Sequence, residues 1–122
     1  MEYFKFETQD FRSATWERVQ SAGERTLVYR LESRRIWDPP LPVTVKFAFE
    51  PNEWEEFWLR LEELDVWSWT QYYRVAHDGG AWSLQLQNGD RKLDARGRNA
   101  RPDSYTDFFR CLDKFVCGRL TS

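Results

Sequence analysis

The chain has 122 residues and a mass of 14.8 kDa, enough for one hydrophobic core and not for two. It is 41% hydrophobic and 31% charged, which excludes a disordered chain, and no apolar run approaches the roughly 18 residues of a membrane span. Eighteen basic residues against twenty acidic ones leave a formal charge of −2, so the whole-molecule balance carries no electrostatic footprint for nucleic acid.

Met1-Glu2-Tyr3-Phe4-Lys5-Phe6-Glu7 holds acids and no long apolar stretch, unlike a signal peptide, and residues 3–6 read as an edge strand. Thr15 to Gln20 pairs with Arg25 to Ser33 across Ala22-Gly23, with Leu27, Tyr29 and Leu31 on one side. Ile36 to Pro42 is a stiff loop, because its three prolines deny ladder hydrogen bonds. Val43, Val45, Phe47 and Phe49 then alternate as a strand. The first helix follows Glu50. Pro51 suits its first turn, Asn52 with Glu55 resembles a capping box, and Glu53, Glu55 and Glu56 complement the helix dipole. Trp54, Phe57, Trp58, Leu61 and Leu64 make its buried stripe, and Glu53, Glu55, Glu56, Glu62 and Glu63 its acidic outer face.

After this helix the period changes from 3.6 to 2. Trp67, Trp69, Gln71, Tyr73, Val75 and His77 alternate with Ser68, Thr70, Tyr72, Arg74 and Ala76. Asp78-Gly79-Gly80 turns the chain into Trp82, Leu84 and Leu86, and Asn88-Gly89, a strong hairpin signal, turns it into Asp90 to Ala95. With two-residue loops, Leu86 faces Arg91, Leu84 faces Leu93 and Trp82 faces Ala95, while Val75 faces Trp82. One apolar face results, as a three-stranded meander requires. A second helix follows Pro102, capped by Asp103 or Ser104. Tyr105, Phe108, Phe109, Leu112, Phe115 and Val116 form its stripe, and Gly118 its end. The order β-β-β-α-β-β-β-α predicts a single α+β domain over residues 1–122, an antiparallel sheet of about six strands with two amphipathic helices packed on one face.

Chemistry is harder to find. Cys111 and Cys117 lie about 9 Å apart along a helix and on different faces, so they do not bridge. With one histidine in the chain there is no zinc ligand set, and unpaired cysteines point to a reducing compartment, the cytoplasm. His77 has no triad partner identifiable by spacing. Glu55-Glu56 and Glu62-Glu63 are paired carboxylates on a solvated helix face. Gly79-Gly80 and Gly97 form no phosphate loop. The expectation is no enzyme, no metal and no cofactor; a pocket near His77 and Trp67 is the remaining catalytic or small-ligand reading.

Charge is unevenly spread. Residues 1–66 carry −5 and residues 67–122 carry +3, and arginine outnumbers lysine 14 to 4. Arg91, Lys92, Arg96, Arg98 and Arg101 form a basic run offset by Asp90 and Asp94. With Trp67 or Tyr72 nearby, that run could track phosphates while an aromatic stacks a base, although no RNP-type motif is present. The 21 aromatics include seven tryptophans. Trp54, Trp58, Trp67, Trp69 and Trp82 fall on apolar faces; Trp16 and Trp37 do not. Trp37, beside prolines, reads as a partner anchor or a cap over the core's edge. Tyr72 and Arg74 project from the sheet face that the helices leave uncovered.

Trp69-x3-Tyr73, Asp78-Gly79-x2-Trp82-x-Leu84, Gly97-x-Asn99-Ala100-x-Pro102, then Phe108 and Leu112 resemble a C-terminal pattern of small uncharacterised bacterial α+β proteins, over roughly residues 43–118. Arg101 replaces the tyrosine usual in that pattern. The resemblance implies an α+β domain without known catalysis, of a kind encoded beside toxins or defence systems. The reading that follows is a cytoplasmic immunity or inhibitor protein that binds a toxin or effector through Glu53, Glu56, Glu63, Trp37, Tyr72 and Arg74. The alternative is a single-stranded nucleic-acid binder using the 91–101 segment.

Overall fold

Phe4 and Phe6 are two residues apart, so a strand points both to one side of a sheet, and both are withdrawn from solvent (0% and 1% exposed). In the computed structural model, which describes residues 2–10, 15–33, 43–73, 80–118 and 120, they lie on β1 (Glu2–Asp10). On one side of β1 run β2 (Thr15–Ser21), β3 (Thr26–Ser33) and β4 (Val43–Ala48), each antiparallel to the last. On the other side lie the antiparallel strands β6 (Gly80–Asn88) and β7 (Arg91–Arg98). The short β5 (Gln71–Tyr73) closes that edge, parallel to β7. The sheet thus has seven strands in the order β4-β3-β2-β1-β6-β7-β5, and the class is α+β.

Four expectations change in detail. The N-terminal strand is the middle of the sheet and not its edge; its two phenylalanines need cover that an edge position does not give. Both sides of β6 are therefore occupied, by β1 and β7, and β5 cannot pair with it in a meander. The run after the first helix is also broken. Asp65 adopts a left-handed backbone (φ 55°) and starts a single 3-10 turn over Val66–Ser68, so strand geometry begins only at Gln71. The Asp78-Gly79 turn, Val75 and His77 lie outside the described residues. Finally, the β6–β7 loop is Gly89-Asp90, with Asn88 opposite Arg91, Leu86 opposite Leu93 and Leu84 opposite Ala95. The pairing moves by two residues, one full period of the pleat, so every side chain keeps the face the sequence assigned it.

Helix α1 (Pro51–Glu63) buries Trp54, Phe57, Trp58 and Leu61. Its cap lies earlier than Asn52–Glu55: the Glu50 amide donates to Glu53 Oε1 at 3.0 Å, because Pro51 takes the first helical position. Helix α2 (Tyr105–Phe115) buries Tyr105, Phe108 and Leu112. It ends where the Gly118 amide, at φ 74°, reaches back to the Asp113 carbonyl at 2.8 Å. Both helices cover the same sheet face, since Phe57 meets Phe4 edge-on at 5.1 Å and Phe108 meets Phe6 at 5.2 Å. Each such buried ring contributes about 1.5–3 kcal/mol of transfer free energy, and its edge-to-face contact about 0.5–1.5 more.

The residues of the C-terminal pattern gather at one place in this core. The Trp82 indole lies across Gly97, its partner on β7, and donates Nε1–H to the Ala100 carbonyl at 2.9 Å. Asn99 turns the chain with φ 59° while its amide bonds the Gly80 carbonyl at 3.1 Å. Trp69 packs edge-on against Trp82 and Phe108 at 5.5 and 5.1 Å, and its indole N–H reaches Ser104 Oγ at 3.1 Å. Pro102 is buried as well. These residues hold β6, β7 and α2 together.

Candidate functional site

Helical spacing puts Asn52, Glu55, Glu56, Leu59 and Glu62 on neighbouring rungs of α1. Together with Trp58, Trp67 and Asn88 they line an open groove of about 430 Å³ beside the helix. Leu59 breaks the acidic face and is 56% exposed, the most exposed large hydrophobic side chain described. The indoles of Trp58 and Trp67 stack 6.3 Å apart at 25°. The Arg91 guanidinium caps that stack, 4.1 Å from the Trp67 ring centre, and both of its terminal nitrogens meet the Glu62 carboxylate. Asp65 makes the placement of Trp67 possible: its left-handed backbone swings the 3-10 turn back against α1. The Trp58 indole nitrogen is buried and has no hydrogen-bond partner among the described residues.

The five acids of the α1 outer face are not equivalent. Glu53 is bound to the cap. Glu56 and Glu63 hold Arg60 at 3.5 and 3.0 Å, and Glu62 holds Arg91. Such exposed pairs contribute at most about 1 kcal/mol each, yet they fix where the side chains point. Glu55 makes no such contact among the described residues, so its carboxylate, four residues from Leu59, is the uncommitted one. Glu56 lines the groove while also holding Arg60, and Glu53 and Glu63 are not among the groove-lining residues. Tyr72 stands opposite Gly97 in the parallel register, partly buried 6.0 Å from Trp82, and it also lines the concavity that holds Arg96 and Arg98. Trp37 and Arg74 lie outside the described residues. Trp58, Leu59, Trp67, Glu55 and Glu62 complete a site that the residue-by-residue reading left divided between core and solvent. A leucine isolated among five glutamates was the available signal.

No described element packs on the other sheet face. By strand register it presents Tyr3, Trp16 and the cations Lys5, Arg18, Arg30, Lys46, Lys92, Arg96 and Arg98, against Glu7, Glu32 and Asp94. The basic 91–101 run is therefore split. Lys92, Arg96 and Arg98 face this side, Arg91 joins the α1 groove, and Arg101 covers the Tyr105 ring at 4.7 Å. Burial would raise the Glu7 carboxyl's pKa, but Lys5 at 2.9 Å, the Trp16 indole N–H at 3.2 Å and the nearby Arg18 outweigh it and hold the value below normal. A lowered pKa means that Glu7 stabilises the fold above the ordinary carboxylate pKa of 4.5 and loses that contribution as pH falls through its folded value. In a Glu7→Gln variant the melting temperature should fall less steeply below pH 4.5 than in the wild type; parallel acid limbs would contradict this.

Burial also raises the Cys111 thiol's pKa, against Arg60 and Lys114. Cys111 and Cys117 are both free. Among the described residues no group of three or more His, Cys, Asp or Glu side chains is placed to hold a metal ion, and no helix is long and apolar enough to cross a membrane. No protein-family model matches the chain, and no curated protein matches it in sequence.

Proposed function

We propose that this protein is a non-catalytic protein-binding module, an immunity or inhibitor protein that acts in the cytoplasm on a toxin or effector. The groove along α1 is its docking surface. One observation carries the reading: an exposed leucine and an uncommitted carboxylate, Leu59 and Glu55, border a groove floored by stacked tryptophans. Aromatic side chains in a desolvated pocket with a charged rim are the composition of interface centres. The acidic face of α1 favours a partner with a basic surface and speeds its approach. The Trp82–Gly97–Asn99–Pro102 pattern resembles one in small uncharacterised bacterial proteins, and the toxin-immunity or defence setting that this resemblance implies accords with the same class.

The test is co-purification with the product of the adjacent gene. A complex that survives at low micromolar concentration and low salt is expected. No complex under those conditions would overturn the reading.

A further inference from the structure

We infer that the uncovered sheet face binds single-stranded nucleic acid, independently of the α1 groove. Seven cations and three acids give the described part of this face +4, although the whole chain carries −2. The positive charge is thus segregated, with the acids gathered elsewhere on the molecule. Strand register aligns Arg30, Arg18, Glu7, Ser83 and Arg96 in one row across β3, β2, β1, β6 and β7, a track of about 19 Å at the usual strand spacing.

Arg18 and Arg30 are direct cross-strand neighbours. Like charges in that position cost stability, and an anion lying over the row would relieve the cost. Arg30 is partly balanced by Glu32 at 2.7 Å. Arg18 stands between Arg30 and Glu7, whose carboxylate offsets part of its charge, and lies over the Trp16 ring at 4.8 Å; neither Lys46 nor Lys92 has an ion-pair partner among the described residues. A basic track with an aromatic beside it is how sequence-tolerant single-strand binders work: cations follow the phosphates and a ring stacks a base. At the β5 end of the row, a concavity of about 470 Å³ between β1, β6 and β7 takes in both Arg96 and Arg98.

The probe is a fluorescein-labelled oligothymidylate of about 15 nucleotides, followed by anisotropy. Micromolar binding is expected, and neutralising roughly three phosphates predicts a loss of about 20-fold between 50 and 200 mM salt. The double variant Arg18→Ala/Lys92→Ala should weaken binding at least tenfold. A control of equal charge change on α2, Arg110→Ala/Lys114→Ala, should change it less than twofold. Trp16→Phe keeps an aromatic ring on the face and should bind better than Trp16→Ala. Undetectable binding at 50 mM salt, an equal loss in the α2 control, or equal affinity for duplex DNA would each overturn the inference. So would sheet-face variants that alter only the oligomeric state, since the face would then belong to a second copy of the chain.

Discussion

Gly97→Ala should lower the melting temperature by roughly 10–15 °C. A Cβ at this position would overlap the Trp82 indole, well inside contact distance, and lie 2.6 Å from the Ala100 carbonyl oxygen. Neither neighbour can yield cheaply. The indole is wedged between Trp69 at 5.5 Å and Tyr105 at 5.4 Å, and the carbonyl is backbone that accepts the Trp82 hydrogen bond. Overpacking of this kind costs about 1–3 kcal/mol and the lost hydrogen bond about 1 more, near 3 kcal/mol in all. For a domain of this length each kcal/mol is worth about 3–5 °C. Trp82→Phe makes room at Gly97, so the double variant should recover part of the loss, a coupling that a thermodynamic cycle measures. A drop below about 2 °C for Gly97→Ala would contradict the packing described. Below its melting temperature the variant should still bind the partner, because the Trp82–Gly97 contact lies apart from the α1 groove.

The second large effect is expected in the groove itself. Glu55→Lys places a cation where the uncommitted carboxylate now stands, and Leu59→Asp removes the apolar contact beside it. Both positions are exposed on α1, so the fold should tolerate either change within about 0.5 kcal/mol. For the partner, loss of a central interface residue costs about 2 kcal/mol or more, close to a 30-fold fall in affinity. The charge reversal should act partly through a slower association rate, which added salt would mask.

The helices were legible in the sequence because their signals are local. Pro51, the glutamates that follow it and the Trp54–Leu61 stripe each act within a few residues, and Tyr105, Phe108 and Leu112 repeat the pattern in α2. The β6–β7 hairpin was legible for the same reason, down to its faces, and only its loop was off by one residue. The place of β1 was not. Tyr3-Phe4-Lys5-Phe6 alternates in the same way at an edge or in the middle, and the difference depends on β2 and β6, which are distant in sequence. The parallel β5 was hidden likewise. Trp67 to Tyr73 has strand period throughout, but Asp65 bends the first part into a helical turn whose purpose, cover for Trp58, is visible only in three dimensions. The candidate site shares that difficulty. Glu55 and Leu59 are adjacent on a helical wheel, whereas Arg91 arrives from β7 and Trp67 from the turn after α1.

The claim that matters most is that the α1 groove is the surface through which this protein meets its partner. Calorimetric titration of the partner into wild type, Glu55→Lys, Leu59→Asp and the sheet-face double variant Arg18→Ala/Lys92→Ala tests it most directly. The account predicts a fall of about 30-fold for each groove variant, less than threefold for the sheet-face variant, and melting temperatures within about 3 °C of the wild type throughout. Undiminished affinity in both groove variants, or a loss confined to the sheet-face variant, would contradict it.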